Sequence, residues 1–196
     1  LPWFMKAFMI STRAFARTIE NIPSKATSWI TRKMQRHLTT ILELLPTMNN
    51  TVPLQPTANR HKSFRVYGDA RGGKNAAAAY VTPHAVKWWP FSSKLKKANI
   101  AYLEGQALEQ YLIDNAPDHR GHIVPYYGDN TTFLGALRRC HSANENMNEM
   151  ILRILLLCYH HDIYLDLHYV QSKLNILADA ASRQMWTVFN NNFYSF

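Results

Sequence analysis

The chain has 196 residues, 47% of them apolar and 12% aromatic, enough for one globular domain of about 100–150 residues plus an appendage. Its formal net charge is +9, with eight basic against two acidic residues in 1–60, eleven against six in 61–140, and three against five in 141–196. This uneven basic charge favours a polyanionic partner over a small molecule, so we expect no small-molecule cofactor. No apolar run reaches the about 18 residues of a membrane-spanning helix, so we expect no membrane partner.

The first 60 residues predict helices followed by a linker. Residues 1–22 alternate apolar and basic side chains, a pattern typical of an amphipathic helix. Apolar residues recur at helical spacing from Ser24 to Leu45, and Pro46 ends that second helix. The stretch 47–62 has two further prolines and no periodicity, which predicts a linker and a domain boundary near residue 60.

The rest of the chain predicts five strands interspersed with helices. Three strands come first, joined by short turns, so an antiparallel meander is expected. Strands then alternate with helices, which implies a mixed sheet, three antiparallel strands followed by two parallel ones, flanked by helices in an α/β fold. The predicted strands are 64–69, 76–82, 85–91, 122–129 and 163–170, and the predicted helices are 100–115, 131–140, 146–161 and one that begins near residue 175.

Four acidic residues occupy comparable places on these predicted elements. Asp69 ends the first strand, where it should leave the sheet at its tip, and Glu104 lies one turn inside the next helix. Asp129 ends the fourth strand, and Asp179 lies in the last helix among small alanines. Oxygen ligands with negative charge are what a hard divalent cation needs. The four carboxylates are therefore our candidate active site, whereas Glu109, Asp114 and Asp118 are expected to be solvated.

The order of these four carboxylates resembles that of the ribonuclease H fold. The segments G-D-N at 128–130 and N-I-L-A-D-A-A-S-R at 175–183 are similar to the ribonuclease H domains of reverse-transcribing elements, in the retrotransposon and hepadnavirus-like branch. On this resemblance we assign 61–185 to a catalytic domain, 1–60 to a thumb-like or connection-like helical extension with its linker, and 186–196 to an aromatic C-terminal tail.

The resemblance implies an endoribonuclease that hydrolyses the RNA strand of RNA–DNA hybrids, within a reverse transcriptase polyprotein that also supplies a polymerase domain. Two Mg²⁺ or Mn²⁺ ions are implied, with Asp69 bridging both, Asp179 completing one site, and Glu104 and Asp129 the other. Hybrid recognition calls for backbone amides, small polar side chains and cations near the metals. We expect these contacts from Arg71, Gly72, Gly73, Lys74, Asn75, Lys94, Lys96, Lys97, Asn130 and Thr131.

One segment departs from the cellular ribonucleases H, which carry a histidine in the loop before the last helix. That loop reads Q-S-K-L-N here and has no histidine, and His168 belongs to the preceding predicted strand. The hepadnavirus-like branch also lacks a histidine in this loop. Two alternatives stay open. The domain could be a catalytically silent binding or spacer module of a polymerase, or a DNA-acting nuclease or integrase of the same superfold.

The two cysteines, Cys140 and Cys158, fall in predicted helices without a second Cys or His at metal-finger spacing. Such isolated cysteines are typical of a reducing intracellular compartment. We therefore expect the protein in the cytoplasm, the nucleus or a retroelement particle.

Overall fold

The structure is a computed structural model that describes residues 3–20, 32–47 and 60–193. The predicted helix over Ser24–Leu45 is present from Arg32 onward, and its first part lies outside the described residues, as does most of the predicted linker. The elements are α1 Trp3–Glu20, α2 Arg32–Leu44, β1 Val66–Arg71, β2 Ala77–Val81, β3 Val86–Pro90, α3 Ile100–Asn115, β4 Ile123–Gly128, α4 Thr131–Arg139, α5 Glu145–His160, β5 Tyr164–Tyr169, α6 Ile176–Ser182 and α7 Trp186–Phe193.

The five strands form one mixed sheet in the order β3-β2-β1-β4-β5. Strands β1, β2 and β3 are antiparallel neighbours, whereas β4 runs parallel to β1 and β5 runs parallel to β4. This is the predicted topology, and the α/β fold prediction is confirmed.

Helices cover both faces of this sheet, which explains how an alanine run becomes a strand. Helices α3, α4 and α5 pack against one face, around Val66, Val124 and Tyr126. Helix α6 packs on the other face against Ala79 and Val81. Every residue of β2 is buried, so its small side chains let helices approach from both sides and tertiary packing overrides the helix propensity of alanine.

The N-terminal helices lie against the domain, not apart from it. Helix α1 packs on α2 and α5, and Ile10 and Leu44 belong to the same hydrophobic core as α3 to α5. The buried His37 Nε2 lies 3.2 Å from Glu149 Oε1 on α5. In the described part of the chain, no helix is both long and apolar enough to cross a bilayer.

The described part of the expected aromatic tail forms a helix. Helix α7 packs on α6, and its Phe189 is buried in the cluster that joins α6 to β2. Residues 194–196 lie outside the described residues. The aromatic side chains of this segment thus extend the cover over the second face of the sheet.

Candidate active site

Three of the four predicted carboxylates meet at one place. Asp69 lies on β1, Glu104 on α3 and Asp129 directly after β4, and each offers one oxygen within 4.8 Å of the others. The fold produces this convergence because β1 and β4 are parallel neighbours and α3 crosses the face of β1.

Asp69 does not leave the sheet at a strand tip, so that detail of the prediction is wrong. It pairs with Ala79 of β2, and two further pairs follow it, up to Arg71 with Ala77. The parallel pairing with β4 ends earlier, at Tyr67 and Tyr127. Asp69 therefore lies where β1 continues beyond its last pair with β4, and this leaves room for Asp129 beside it.

The fourth predicted residue, Asp179, lies outside this group of three. Its Oδ1 accepts a hydrogen bond of 2.6 Å from Arg183 Nε, one helical turn further along the chain. Its negative charge still reaches the cluster, because it contributes to the raised pKa values of Asp69 and Glu104. Arg183 is the C-cap residue of α6, and its side chain also pairs with Asp179.

Burial and mutual repulsion govern the protonation of the cluster. The pKa of Asp69 is raised to about 7, first by burial and then by the negative charges of Asp129 and Asp179, while a hydrogen bond from Ser182 opposes the rise. The pKa of Glu104 is also raised, first by burial and then by Asp69 and Asp129, although the backbone N–H of Ala70 donates to it. Carboxylates packed this closely resist ionising together.

Two residues that support the site were missed by the sequence reasoning. The hydroxyl of Ser182, on α6, donates to Asp69 Oδ2 over 2.5 Å. The buried Asn175 donates its Nδ2 to the Gly68 carbonyl over 3.0 Å, which ties the start of α6 to β1. Both lie in the segment 175–183 that carried the resemblance, and Ser182 is three residues after Asp179. The three-residue helical spacing from Asp179 was the sequence signal that could have indicated Ser182.

Gly68 is required beneath the carboxylates because a side chain there would collide with an aromatic ring. A Cβ on Gly68 would lie 2.1 Å from the hydroxyl and 2.8 Å from Cζ of Tyr126. The buried Tyr126 phenol fills this space, and its pKa is raised by burial and by the nearby charges of the carboxylates, Glu104 first. The space between Gly68 and Tyr126, beneath the carboxylates, therefore has no room for a methyl group at position 68.

The residues expected to contact nucleic acid lie on turns and helix starts. Arg71 ends β1, and the exposed turn that follows needs Gly73, whose φ is +85°. The basic loop before α3 contains a short 3₁₀ helix, Leu95–Lys97. The side-chain oxygen of Asn130 accepts from Phe133 N over 2.9 Å, so it caps α4. The full set is Arg71, Gly72, Gly73, Lys74, Asn75, Lys94, Lys96, Lys97, Asn130 and Thr131.

The prediction that Glu109 is solvated is wrong, because it is 6% exposed. Arg153 of α5 donates from Nε and Nη2 to its two oxygens, and Gln106 Nε2 donates to it over 2.6 Å. Asp114 is also engaged, by Lys87 Nζ at 2.6 Å and Tyr80 OH at 3.0 Å. These acids lie in the interface between secondary-structure elements, which the helix pattern alone does not reveal.

Comparison with known proteins identifies the type of fold. No family model and no curated protein matches the chain. Among solved structures, RNase H1 from the halophilic archaeon Halobacterium salinarum is 19% identical with a TM-score of 0.53, and the match covers 63% of this chain and 97% of that one. The chain has a ribonuclease H-like fold.

Two further solved structures share this ribonuclease H-like fold. LC11 RNase H1, solved in complex with an RNA/DNA hybrid, is 14% identical, with a TM-score of 0.54 over 62% of this chain and 95% of that one. The N-terminal RNase H domain of a Mycobacterium tuberculosis protein, fused to maltose-binding protein, is 14% identical, with a TM-score of 0.51 over 68% and 99%. Each match spans nearly the whole of the other chain.

The donor set of the cluster fits a hard divalent cation. Asp69, Glu104 and Asp129 offer carboxylate oxygens, the ligands that Mg²⁺ and Mn²⁺ prefer. Their repulsion and burial penalise the ionised state, and a cation would compensate both. The three residues are therefore the ones in the described chain that are placed to hold such an ion.

Proposed function

We propose that this chain is an endoribonuclease that hydrolyses the RNA strand of RNA–DNA hybrids. The observation that carries the proposal is the cluster of two buried acids, Asp69 and Glu104, with the half-buried Asp129, whose charges repel one another in a ribonuclease H-like fold. A solved neighbour of the same fold is in complex with an RNA/DNA hybrid. The basic net charge of +9 suits a polyanionic substrate.

The carboxylates would hold the metal ions of this reaction. Asp69 would bridge both ions, while Asp179 would complete one site and Glu104 with Asp129 the other. Two Mg²⁺ or Mn²⁺ ions, when bound, would supply Lewis-acid activation of the attacking water and charge stabilisation at the leaving oxygen. The chain's own part is to hold the carboxylates in place, with Asp179 paired to Arg183.

The hybrid would be held by the turns and basic residues around the cluster. Exposed backbone amides at Gly72 and Gly73 and the small side chains of Asn75 and Thr131 suit contacts with 2′-hydroxyls and sugar edges. Phosphate contacts would come from Arg71, Lys74, Lys94, Lys96 and Lys97.

No histidine occurs in the loop that precedes α6, where residues 172–174 form a 3₁₀ turn. His168 is engaged on β5, because its ring stacks on Tyr127 at 4.7 Å and its Nε2 lies 3.0 Å from Asp166. The leaving oxygen would therefore take its proton from solvent.

The wider setting that we propose is a retroelement reverse transcriptase. Support comes from the segments at 128–130 and 175–183, which are similar to the retrotransposon and hepadnavirus-like branch. Residues 61–185 would be the catalytic domain and 1–60 the extension toward a polymerase domain, with 186–196 as a C-terminal appendage. Both cysteines are buried and neither forms a disulfide, which suits an intracellular location.

The decisive experiment is cleavage of a labelled RNA–DNA hybrid, beside duplex DNA and duplex RNA, with Mg²⁺, Mn²⁺ or EDTA. Metal-dependent cutting of only the RNA strand of the hybrid, lost in Asp69→Asn and kept in Asp118→Asn, would support the proposal. Asp118 is the matched control, since it is an exposed acid outside the cluster. Binding of hybrid without cutting would favour a silent module, and cutting of DNA would favour a DNA-acting nuclease.

A further inference from the structure

We propose that Ser182 is a positioning residue that orients the Asp69 carboxylate for metal binding. The proposal rests on the metal site of the proposed function. Ser182 is 1% exposed, and its Oγ lies 2.5 Å from Asp69 Oδ2. It contacts the carboxylate to which we assign the bridging role.

The serine hydroxyl does not need Asp69 to satisfy its own hydrogen bonding. Oγ also lies 3.0 Å from the backbone carbonyl of Asp179, a local acceptor three residues earlier in the same helix. A hydroxyl has one proton to donate, and an ionised carboxylate is a stronger acceptor than a backbone carbonyl. The bond across to β1 therefore serves the orientation of Asp69, because α6 could satisfy the hydroxyl alone.

Hydrogen bonds at both ends of α6 fix the position of the Ser182 hydroxyl. Trp88 Nε1 on β3 donates to the Ser182 carbonyl over 3.3 Å, and Asn175 ties the start of α6 to Gly68, the residue before Asp69. Helix α6 is thereby anchored to the sheet independently of any cation. The position of Oγ relative to Asp69 is set by the fold.

A bond to Ser182 leaves the bridging role of Asp69 intact. Each carboxylate oxygen has two lone-pair sites, so Oδ2 keeps one for a cation after it accepts the serine proton, and Oδ1 keeps both. The bond restricts rotation of the carboxylate about its Cβ–Cγ axis. Partners of this kind behind a metal ligand typically change metal affinity or activity 10–100-fold when they are removed.

The test is a Mn²⁺ titration followed by electron paramagnetic resonance of the free ion, on Ser182→Ala, Ser182→Thr and the unmodified chain. The matched control is Ser63→Ala, which removes a serine hydroxyl bonded to His119 Nδ1 at 2.9 Å, away from the carboxylates. We expect Ser182→Ala to weaken Mn²⁺ binding about 10–100-fold, Ser182→Thr to recover most of it, and Ser63→Ala to bind as the unmodified chain does. For hybrid cleavage, kcat should fall in Ser182→Ala while KM for the hybrid stays unchanged.

Unchanged Mn²⁺ binding in Ser182→Ala would overturn the positioning role, as would an equal loss in Ser182→Ala and Ser182→Thr. Failure of the larger proposal is distinguishable from this result. If the unmodified chain binds Mn²⁺ but cuts no hybrid, weaker binding by Ser182→Ala still supports the positioning role while the proposed reaction fails. Absence of Mn²⁺ binding by the unmodified chain would overturn both.

Discussion

Two glutamates on α3 are equally buried and differ in what surrounds them. Glu104 is 5% exposed and Glu109 is 6% exposed. Glu109 receives hydrogen bonds from Arg153 and Gln106, so its charge is compensated within the fold. Glu104 faces Asp69 and Asp129, which share its sign. Charge compensation, not burial, therefore separates the acid that joins two helices from the acid that we assign to a reaction.

Neutralising each glutamate in turn should separate the two roles by the largest effect. Glu104→Gln should lower the rate of hybrid cleavage at least about 1,000-fold, or about 4 kcal/mol in activation free energy, because an electrostatic ligand of the reacting centre is lost. Glu109→Gln should keep the rate within about 3-fold of the unmodified chain. It should lower the free energy of unfolding by about 1–3 kcal/mol, because half-exposed Arg153 loses its charged partner.

Cleavage kinetics and urea denaturation on the same two variants measure both effects. The comparison fails if the two variants lose activity equally, or if Glu104→Gln is the one that unfolds more easily in EDTA.

The pH dependence of stability offers a second test of the uncompensated cluster. In metal-free protein the folded Asp69 keeps its proton up to about pH 7, whereas the unfolded carboxyl releases it near its ordinary value of 3.8. Folding is therefore favoured most at low pH, and the free energy of unfolding should fall by about 2–4 kcal/mol as pH rises between these values. Asp69→Asn removes this group and should flatten the slope.

Urea denaturation in EDTA, at about pH 5 and about pH 7.5, gives the change in the free energy of unfolding with pH for the unmodified chain and for Asp69→Asn. Glu109→Gln is the control, since it should keep the slope of the unmodified chain. An equally steep slope in Asp69→Asn would show that Asp69 is not the source of this pH dependence.

A smaller effect is expected from the crowded floor beneath the cluster. Gly68→Ala places a methyl group against the Tyr126 ring and should cost about 1–3 kcal/mol of stability. Because the closest atom is the hydroxyl, at 2.1 Å, Tyr126→Phe should relieve part of that cost in the double variant. Thermal or urea unfolding of the four-member cycle measures it. Gly72→Ala, whose nearest atom would lie at 3.9 Å, should change little, and strictly additive costs would contradict the packing described.

The smallest expected effects concern the basic loop before α3. Lys94→Ala and Lys97→Ala should each raise KM for the hybrid a few-fold and lower the salt dependence of binding by about one unit of slope, as loss of a phosphate contact does. Lys87→Ala is the control, because its Nζ is engaged by Asp114 at 2.6 Å. Fluorescence anisotropy of labelled hybrid over a salt series measures the slope, and equal slopes in all variants would place the phosphates elsewhere.

Hydrophobic periodicity, together with cap and turn residues, predicted the secondary-structure elements well. Helix α3 begins and ends at the predicted residues, because Asn99 caps its start and the segment Ala116–Pro117 follows its end. The last four predicted strands contain the observed ones, whereas β1 lies two residues further along the chain than predicted. Local patterns were sufficient here because turn residues and hydrophobic alternation act over short distances.

Contacts between distant elements were beyond the sequence. The bond from Ser182 to Asp69 depends on how α6 lies across β1, and no pattern within either segment states that register. Glu109 was expected in solvent because the approach of Arg153 from α5 is a tertiary fact. The pairing of Asp179 with Arg183 competes with the predicted convergence of four carboxylates, although the two residues are one helical turn apart.

Calorimetric titration with Mn²⁺ tests whether the like-charged acids Asp69, Glu104 and Asp129 form a divalent metal site. Two buffers of different ionisation enthalpy, at about pH 6.5, would count the protons released, since ligands must be deprotonated to bind. We expect the unmodified chain to bind Mn²⁺ with release of at least about one proton, because the pKa of Asp69 is raised to about 7 and that of Glu104 is raised as well, and we expect no binding by Asp69→Asn. Absence of binding by the unmodified chain, or equal binding by the variant, would contradict the assignment of this metal site.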